Sequence, residues 1–454
     1  MSSPTDLDVA PDGSDLLLMC EQGGAIYAVT GAARATDESD ITHYEIGDTS
    51  SLMCHNGSRG LVGIAFHPDF NSQTSKPGDD TMWVYTYYTA IGKGDCFTGK
   101  WDVDELPARE GTINVLSRFP LLGDPRSTAK GALEMDMKNE EVLLETAVQM
   151  SHNHNGGDIA FGSDGMLYLT LGDGLSNKVK NDKGLPLEQA TDALFGKIIR
   201  LTPDGNIPQN NPYTPQNGYD NAIFCGRGND GYSGSSKKPC MEVYASGLRN
   251  PFRFAFNPDK NNDDGSPMFY INDVGGSSYE RILHARAGAN YGYPDVKGPC
   301  TEDGCEDPQK HGWDRALHWY EHDSERVSSF GVVTCAYIYH SSLLRLAALL
   351  TLFTETFSSN RQLRAPASLT VPSSPLRLGG LPSLLIRTCL ASTSLVAFIE
   401  FPRSLGRDAI STIARIPSRP LRTPRSSSPM PLLRFLSCLA LTFAAEFRAR
   451  HCIS

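Results

Sequence analysis

The chain has 454 residues, a formal net charge of −11, 40% apolar residues and 11 cysteines, enough for one large all-β domain or two to three ordinary ones. Of its 41 Lys+Arg and 52 Asp+Glu, residues 341–454 hold 14 and 4, leaving 27 against 48 in the first 340, an acidic balance that disfavours nucleic acid as a partner. Apolar runs such as Leu343–Phe353 are interrupted or shorter than the ~18–20 residues of a membrane span, and the opening MSSPTDLDVAPDG carries no apolar signal segment.

In chain order, four stretches share one pattern: DVAPDGSDLLLM (8–19), IAFHPDFNSQ (64–73) followed by MWVYTYY, IAFGSDGMLYLTL (159–171) and FAFNPDKNNDDGSPMFYI (254–271). Each reads as an alternating apolar strand, a turn at Pro-Asp or Ser-Asp, and a second strand rich in Tyr, Leu and Val, which is the pattern of a β-hairpin. The turn aspartates Asp12, Asp69, Asp164 and Asp259 are 57, 95 and 95 residues apart. A minimal propeller blade needs only ~40–50 residues, so long inserted loops are predicted. Almost no sustained 3.6-residue periodicity competes. The predicted fold is all-β, a propeller whose function is carried by its loops.

Between the second and third hairpins, SHNHNGG (151–157) places two histidines ahead of a strand. On an extended segment His152 and His154 would point the same way, able to bind a metal or to cap the loop. Cys225 and Cys240 flank a Gly/Ser/Lys-rich loop, and Cys300 and Cys305 close GPCTEDGC. Those spacings suit disulfide-stapled loops in an oxidising compartment, with buried free thiols as the alternative. No CxxC pair supports zinc. The sequon Asn56-Gly57-Ser58 also fits an extracellular or secretory location.

Five motifs then carry a family resemblance: GLVGIAFHPDF (60–70), HNGGDIAFGSDGMLYLTLGDG (154–174), GKIIRLTPDGNIPQNNP (196–212), YASGLRNPFRFAFNPD (244–259), and INDVGG with ANYGYP (271–294). Over residues 5–340 the chain resembles the glucose/sorbosone dehydrogenase family, six-bladed propellers that include soluble quinoprotein sugar dehydrogenases and hedgehog-interacting-protein-like proteins. About four to five blades are recognisable.

The resemblance implies a role for each motif. His154 falls on the general base that takes a sugar's anomeric hydroxyl proton while hydride passes to pyrroloquinoline quinone, a task that suits an imidazole near neutral pH. Asp173 falls on the carboxylate that orients this base and fixes its tautomer. Arg249 and Asn250 fall on a pair beside the quinone, where a guanidinium stabilises arriving negative charge; the alternative is a blade-to-blade salt bridge. Gly275 and Gly276 fall on the pair whose carbonyls coordinate calcium against the quinone, and Gly156 and Gly157 would let backbone approach a flat cofactor. His152 has no counterpart.

Four positions depart from the catalytic pattern: Ser58 and Arg59 where a glutamine-bearing loop nears the cofactor, Val274 at a polar contact, and Glu280 at an aspartate thought to face substrate. These changes suit the hedgehog-interacting-protein-like branch. Two functions follow from the resemblance. One is sugar oxidation with calcium-bound quinone; the other is a non-catalytic secreted propeller that binds protein or glycan through its loops.

A further blade is predicted to begin at GVVTCAYIYHSS (331–342). After His340 the composition changes: residues 341–454 contain 14 Arg, no Lys, no Tyr and no Trp. This segment is predicted to be irregular, reading either as translated non-coding or frame-shifted sequence or as a basic tail or membrane-surface segment. The family's basic residues that grip the quinone carboxylates belong to later blades.

Overall fold

Each of the four hairpins forms the first half of an antiparallel sheet. In the first sheet, β1 (Pro4–Val9), β2 (Leu16–Glu21), β3 (Ala25–Thr30) and β4 (Thr42–Asp48) pair in chain order. The second contains β5 (Leu61–Phe66), β6 (Trp83–Ala90) and the long β7 (Ile113–Gly123). The end of β7 pairs with β8 (Leu133–Met135), and its start pairs with β9 (Glu141–Glu145). The third runs β10 (Ile159–Phe161), β11 (Leu167–Leu171), β12 (Lys197–Leu201), β13 (Val243–Ala245), and the fourth β14 (Pro251–Asn261), β15 (Pro267–Asp273), β16 (Tyr279–His284), β17 (His318–Glu321). The architecture is all-β, with propeller blades as predicted.

This computed structural model describes residues 3–32, 35, 37–91, 96, 112–146, 151–175, 179–181, 183–227, 238–276, 278–298, 312–321, 334–336, 385–391 and 394–400. All of them belong to the first of two units, Met1–Ile413. The Cys300 and Cys305 loop and most of the segment after residue 340 lie outside the described residues. At the start of the predicted next blade, β18 (Thr334–Ala336) pairs with β19 (Leu385–Ala391), which pairs with β20 (Ser394–Glu400), two strands within the segment predicted to be irregular. The last two strands form a hairpin in the Arg-rich segment, where LIRTCLA and SLVAFIE supply the β-branched and aromatic residues that strands favour. Among the described residues no helix is long and apolar enough to cross a membrane.

Period-two alternation explains how the blades stack. In β6, Val84 and Tyr88 join a core with Leu18 and Ile26 of the first sheet, while Tyr85 and Tyr87 join one with Ile159 and Leu169 of the third. In β11, Leu167 and Leu169 face the second sheet, and Tyr168 packs with Phe254 and Phe269 of the fourth. A middle blade is therefore buried on both faces, and LYLTL and KIIRL have every residue buried.

The hairpin turns follow their sequence with one correction. Asp12 and Asp164 accept the amides of Ser14 and Met166 through Oδ1, at 2.9 and 3.2 Å, ahead of Gly13 and Gly165 at φ +72° and +73°. The fourth turn is not at Asp259. β14 runs through Pro258 and Asp259 to Asn261, and the chain reverses at Asp264–Gly265, where Asp264 Oδ1 accepts the Ser266 amide at 2.9 Å.

The first strands of neighbouring sheets are tied side chain to backbone. Asp6 Oδ2 accepts the Ile64 amide at 2.9 Å, Asp8 Oδ2 the Phe66 amide at 2.8 Å, and Asp158 Oδ2 the Phe254 amide at 2.6 Å. Arg253 in β14 donates through Nη2 to the carbonyls of Thr5 and Val62, at 2.5 and 3.1 Å, linking the fourth sheet to the first and second. Burial pushes the Asp8 carboxyl up to about 7, and the neighbouring Asp6 charge adds to the effect. Burial also raises Asp6 and Asp158, against the pull of Arg253.

Candidate active site

His154 stands in the loop that enters β10, in a left-handed backbone conformation at φ +62°. A non-glycine residue there needs outside support. The support comes from LGDG, 171–174: the His154 carbonyl accepts the Gly174 amide at 3.2 Å, and a Cβ on Gly172 would lie 2.0 Å from that carbonyl oxygen. The segment is thus not extended at His154, which removes the basis for reading His152 and His154 as a same-facing pair. The His152 carbonyl instead accepts the Ser58 amide at 3.0 Å, fastening the loop of Asn56-Gly57-Ser58.

The same turn brings the carboxylate to the imidazole. His154 Nδ1 lies 2.6 Å from Asp173 Oδ1, with side-chain exposures of 13% and 0%. Asp173 Oδ1 also accepts the Leu175 amide at 2.9 Å, and the Asp173 amide donates to the Arg249 carbonyl at 2.7 Å. Burial raises the Tyr293 phenol well above its ordinary range, and the charge of Asp173 raises it further.

Arg249 and Asn250 are positioned by a residue that sequence reasoning passed over. Asp273, at the end of β15, accepts the Arg249 and Asn250 amides through Oδ1, at 3.1 and 2.8 Å. Its Oδ2 accepts Arg281 Nη2 at 2.5 Å, in a pair with side-chain exposures of 3% and 1%. Asn250 Oδ1 accepts the Gly156 amide at 3.2 Å, joining the histidine loop to this strand end. Arg249 Nη1 donates to the Val274 carbonyl at 2.9 Å and to the Gly275 carbonyl at 2.5 Å. The Gly275 amide donates to Glu280 Oε2 at 2.8 Å, and Glu280 is buried at 2% exposure.

A cavity of about 250 Å³ opens here, lined by Arg249, Arg281, Lys297, Tyr279 and Tyr293 together with Leu175, Asp273, Gly275, Gly276 and Ser278. His154 and Asn250 lie outside this lining and reach it through Asp173, Leu175 and Arg249. Gly156 and Gly157 do not line it either. A Cβ on Gly156 would lie 2.6 Å from the Thr170 carbonyl oxygen, and one on Gly157 would lie 2.3 Å from Val62 Cγ2, so close packing between strands is what requires them. Arg249, Arg281 and Lys297 bring three cationic side chains to the lining, and Arg281 is held by Asp273 and by the carbonyls of Tyr291 and Val296. That donor set fits an anionic, planar ligand with carboxylate groups.

Among the described residues two disulfides brace the loops, Cys54–Cys96 and the predicted Cys225–Cys240. Glu242 accepts the Gly226 amide at 2.7 Å beside the second one, and burial pushes its carboxyl up to about 7.

The family described as Glucose / Sorbosone dehydrogenase matches residues 1–334. The chain is similar to the HIPL2 protein of Arabidopsis thaliana, 29% identical over 328 residues that cover 64% of this chain and 40% of that protein. It is similar to Quinoprotein glucose dehydrogenase B of Acinetobacter calcoaceticus, 25% identical over 253 residues, 53% of this chain and 41% of that one. It is also similar to the Hedgehog-interacting protein of Homo sapiens, 25% identical over 291 residues, 62% of this chain and 34% of that one. The chain spans 34–41% of the length of these relatives.

Proposed function

Because the chain belongs to the glucose/sorbosone dehydrogenase family, we propose that it is a sugar dehydrogenase of the quinoprotein type, with an aldose as hydride donor. The observation that carries this reading is the 2.6 Å contact between His154 Nδ1 and Asp173, two residues before Leu175 in the lining of a cationic cavity. Similarity to a protein named Quinoprotein glucose dehydrogenase B supports the cofactor class.

Pyrroloquinoline quinone, when bound, supplies the hydride acceptor for the sugar C1. The chain's own residues do the rest. Asp173 accepts the Nδ1 proton of His154 and so leaves Nε2 as the base that takes the proton from the sugar hydroxyl. As that proton arrives, the buried Asp173 carboxylate stabilises the imidazolium. Arg249 and Lys297 hold carboxylate groups of the ligand and offer positive charge where negative charge develops, and Arg281 holds Asp273. The disulfides and the family relatives support work in an oxidising, extracellular setting.

The test is dye-coupled oxidation of a panel of aldoses by the purified full chain with added quinone. Sugar-dependent dye reduction is expected, and its absence across the panel would sink the reading. A second reading, a non-catalytic propeller that binds protein or glycan, is favoured by Glu280. At a position aligned with a substrate-facing aspartate, this side chain turns inward to the Gly275 amide. The similarity to the Hedgehog-interacting protein points the same way.

A further inference from the structure

Resting on the quinone reading, we propose that the Arg249 guanidinium is the resident cation of the Val274–Gly275 turn, and that this cavity takes its anionic ligand without calcium. Calcium needs about six to eight oxygen ligands and favours carboxylates and free carbonyls. Here the Gly275 carbonyl, one of the two that the family pattern gives the metal, and the lining carboxylate are already used. Arg249 Nη1 lies 2.9 Å from the Val274 carbonyl and 2.5 Å from the Gly275 carbonyl. Asp273, the carboxylate in the lining, has Oδ1 engaged by two amides and Oδ2 by Arg281. Glu280 is buried against the Gly275 amide.

Charge leads to the same conclusion. A divalent ion at those carbonyls would stand within a few ångströms of Arg249, with Arg281 and Lys297 also lining the cavity, and like charges at that range repel strongly where water is partly excluded. A guanidinium in their place presents its remaining N–H groups to a ligand carboxylate, two donors in one plane, which is a metal ion's task of bridging backbone carbonyls to an anion. Val274 and Gly275 thus act as acceptors that aim Arg249.

The test measures pyrroloquinoline quinone binding to the full chain by fluorescence quenching, in excess chelator and in millimolar calcium, alongside calorimetric titration with calcium alone. The dissociation constant is expected to agree within about twofold between the two buffers. Arg249→Ala frees both carbonyls, and it should bind quinone at least tenfold more weakly in chelator and recover on adding calcium. Calorimetry should show one calcium site in Arg249→Ala that the parent chain lacks, and Arg249→Lys, which keeps a cation, should not gain it. Tenfold tightening of quinone by calcium in the parent, or equal calcium stoichiometry in the parent and Arg249→Ala, overturns the inference. If neither buffer supports quinone binding, the quinone reading fails, and the calcium titration still decides what occupies the turn.

Discussion

The Asp173 amide donates to the Arg249 carbonyl at 2.7 Å, so the residue that holds the candidate base is itself held by the residue that lines the cavity. One end of β14 therefore sets both the imidazole and the guanidinium. Asp173→Asn keeps this backbone bond but presents a neutral side chain to Nδ1, which no longer fixes the tautomer or stabilises imidazolium. Turnover should fall by about 10²-fold or more, with circular dichroism unchanged. Full turnover in the variant would remove Asp173 from the site.

Gly172 tests the support beneath His154. Its Cβ would lie 2.0 Å from the His154 carbonyl oxygen and 2.6 Å from the carbonyl carbon. Backbone cannot move aside as a flexible side chain can, so Gly172→Ala should cost about 1–3 kcal/mol and lower turnover more than it lowers quinone affinity. Chemical denaturation with parallel activity measurement checks this, and an Ala variant of parental stability would contradict the steric account.

The Arg281–Asp273 pair is buried on both sides. Removing one partner leaves an uncompensated buried charge, so Arg281→Met should destabilise the fold by roughly 3–5 kcal/mol. Arg281→Met combined with Asp273→Asn should recover part of the loss. A single variant within experimental error of the parent in urea unfolding would show that Asp273 is satisfied by its two amide donors alone.

Asp8 makes stability depend on pH. Its folded carboxyl titrates at about 7, against 3.8 for the free group. The folded state thus keeps a proton that the unfolded chain releases at lower pH. The contribution is fully present below about pH 4 and is lost as pH rises through 7. Asp6 and Asp158 are raised in the same direction. Asp8→Asn keeps an oxygen for the Phe66 amide but cannot ionise, so its melting temperature should fall less between pH 5 and pH 8. A steeper fall would contradict the assignment, and the expected effect is on the order of 1–3 kcal/mol.

The fold was legible where local chemistry decides it. Alternating apolar residues and Pro-Asp or Ser-Asp turns located four hairpins, and double-sided burial explains why β11 and β12 read as nearly continuous apolar runs. The fourth turn was misplaced because Asn257–Asp259 looks like a turn in isolation, whereas in β14 it is an irregularity between the Phe256 and Asn261 pairings with β15. Site geometry was less legible. The left-handed backbone of His154 is enforced by Gly172 and Gly174 from across a hairpin. Asp273 sits in INDVGG with nothing in the motif to mark it as the anchor of Arg249. Arg281 and Lys297 reach the cavity through tertiary placement alone, although Arg249 was the basic residue expected there and those gripping the quinone carboxylates were expected from later blades. Cys54–Cys96, 42 residues apart, had no loop signature.

The central claim is that His154 takes the sugar proton. Its most direct measurement is the single-turnover rate of quinone reduction by aldose in the full chain and in His154→Ala, with quinone affinity determined on the same samples. The predicted result is a rate lower by about 10²–10⁴-fold, with affinity within about twofold, since Arg249, Arg281 and Lys297 are untouched. An unchanged rate in a folded His154→Ala variant, or a parent chain that binds quinone and reduces none of it with any aldose, would contradict the account.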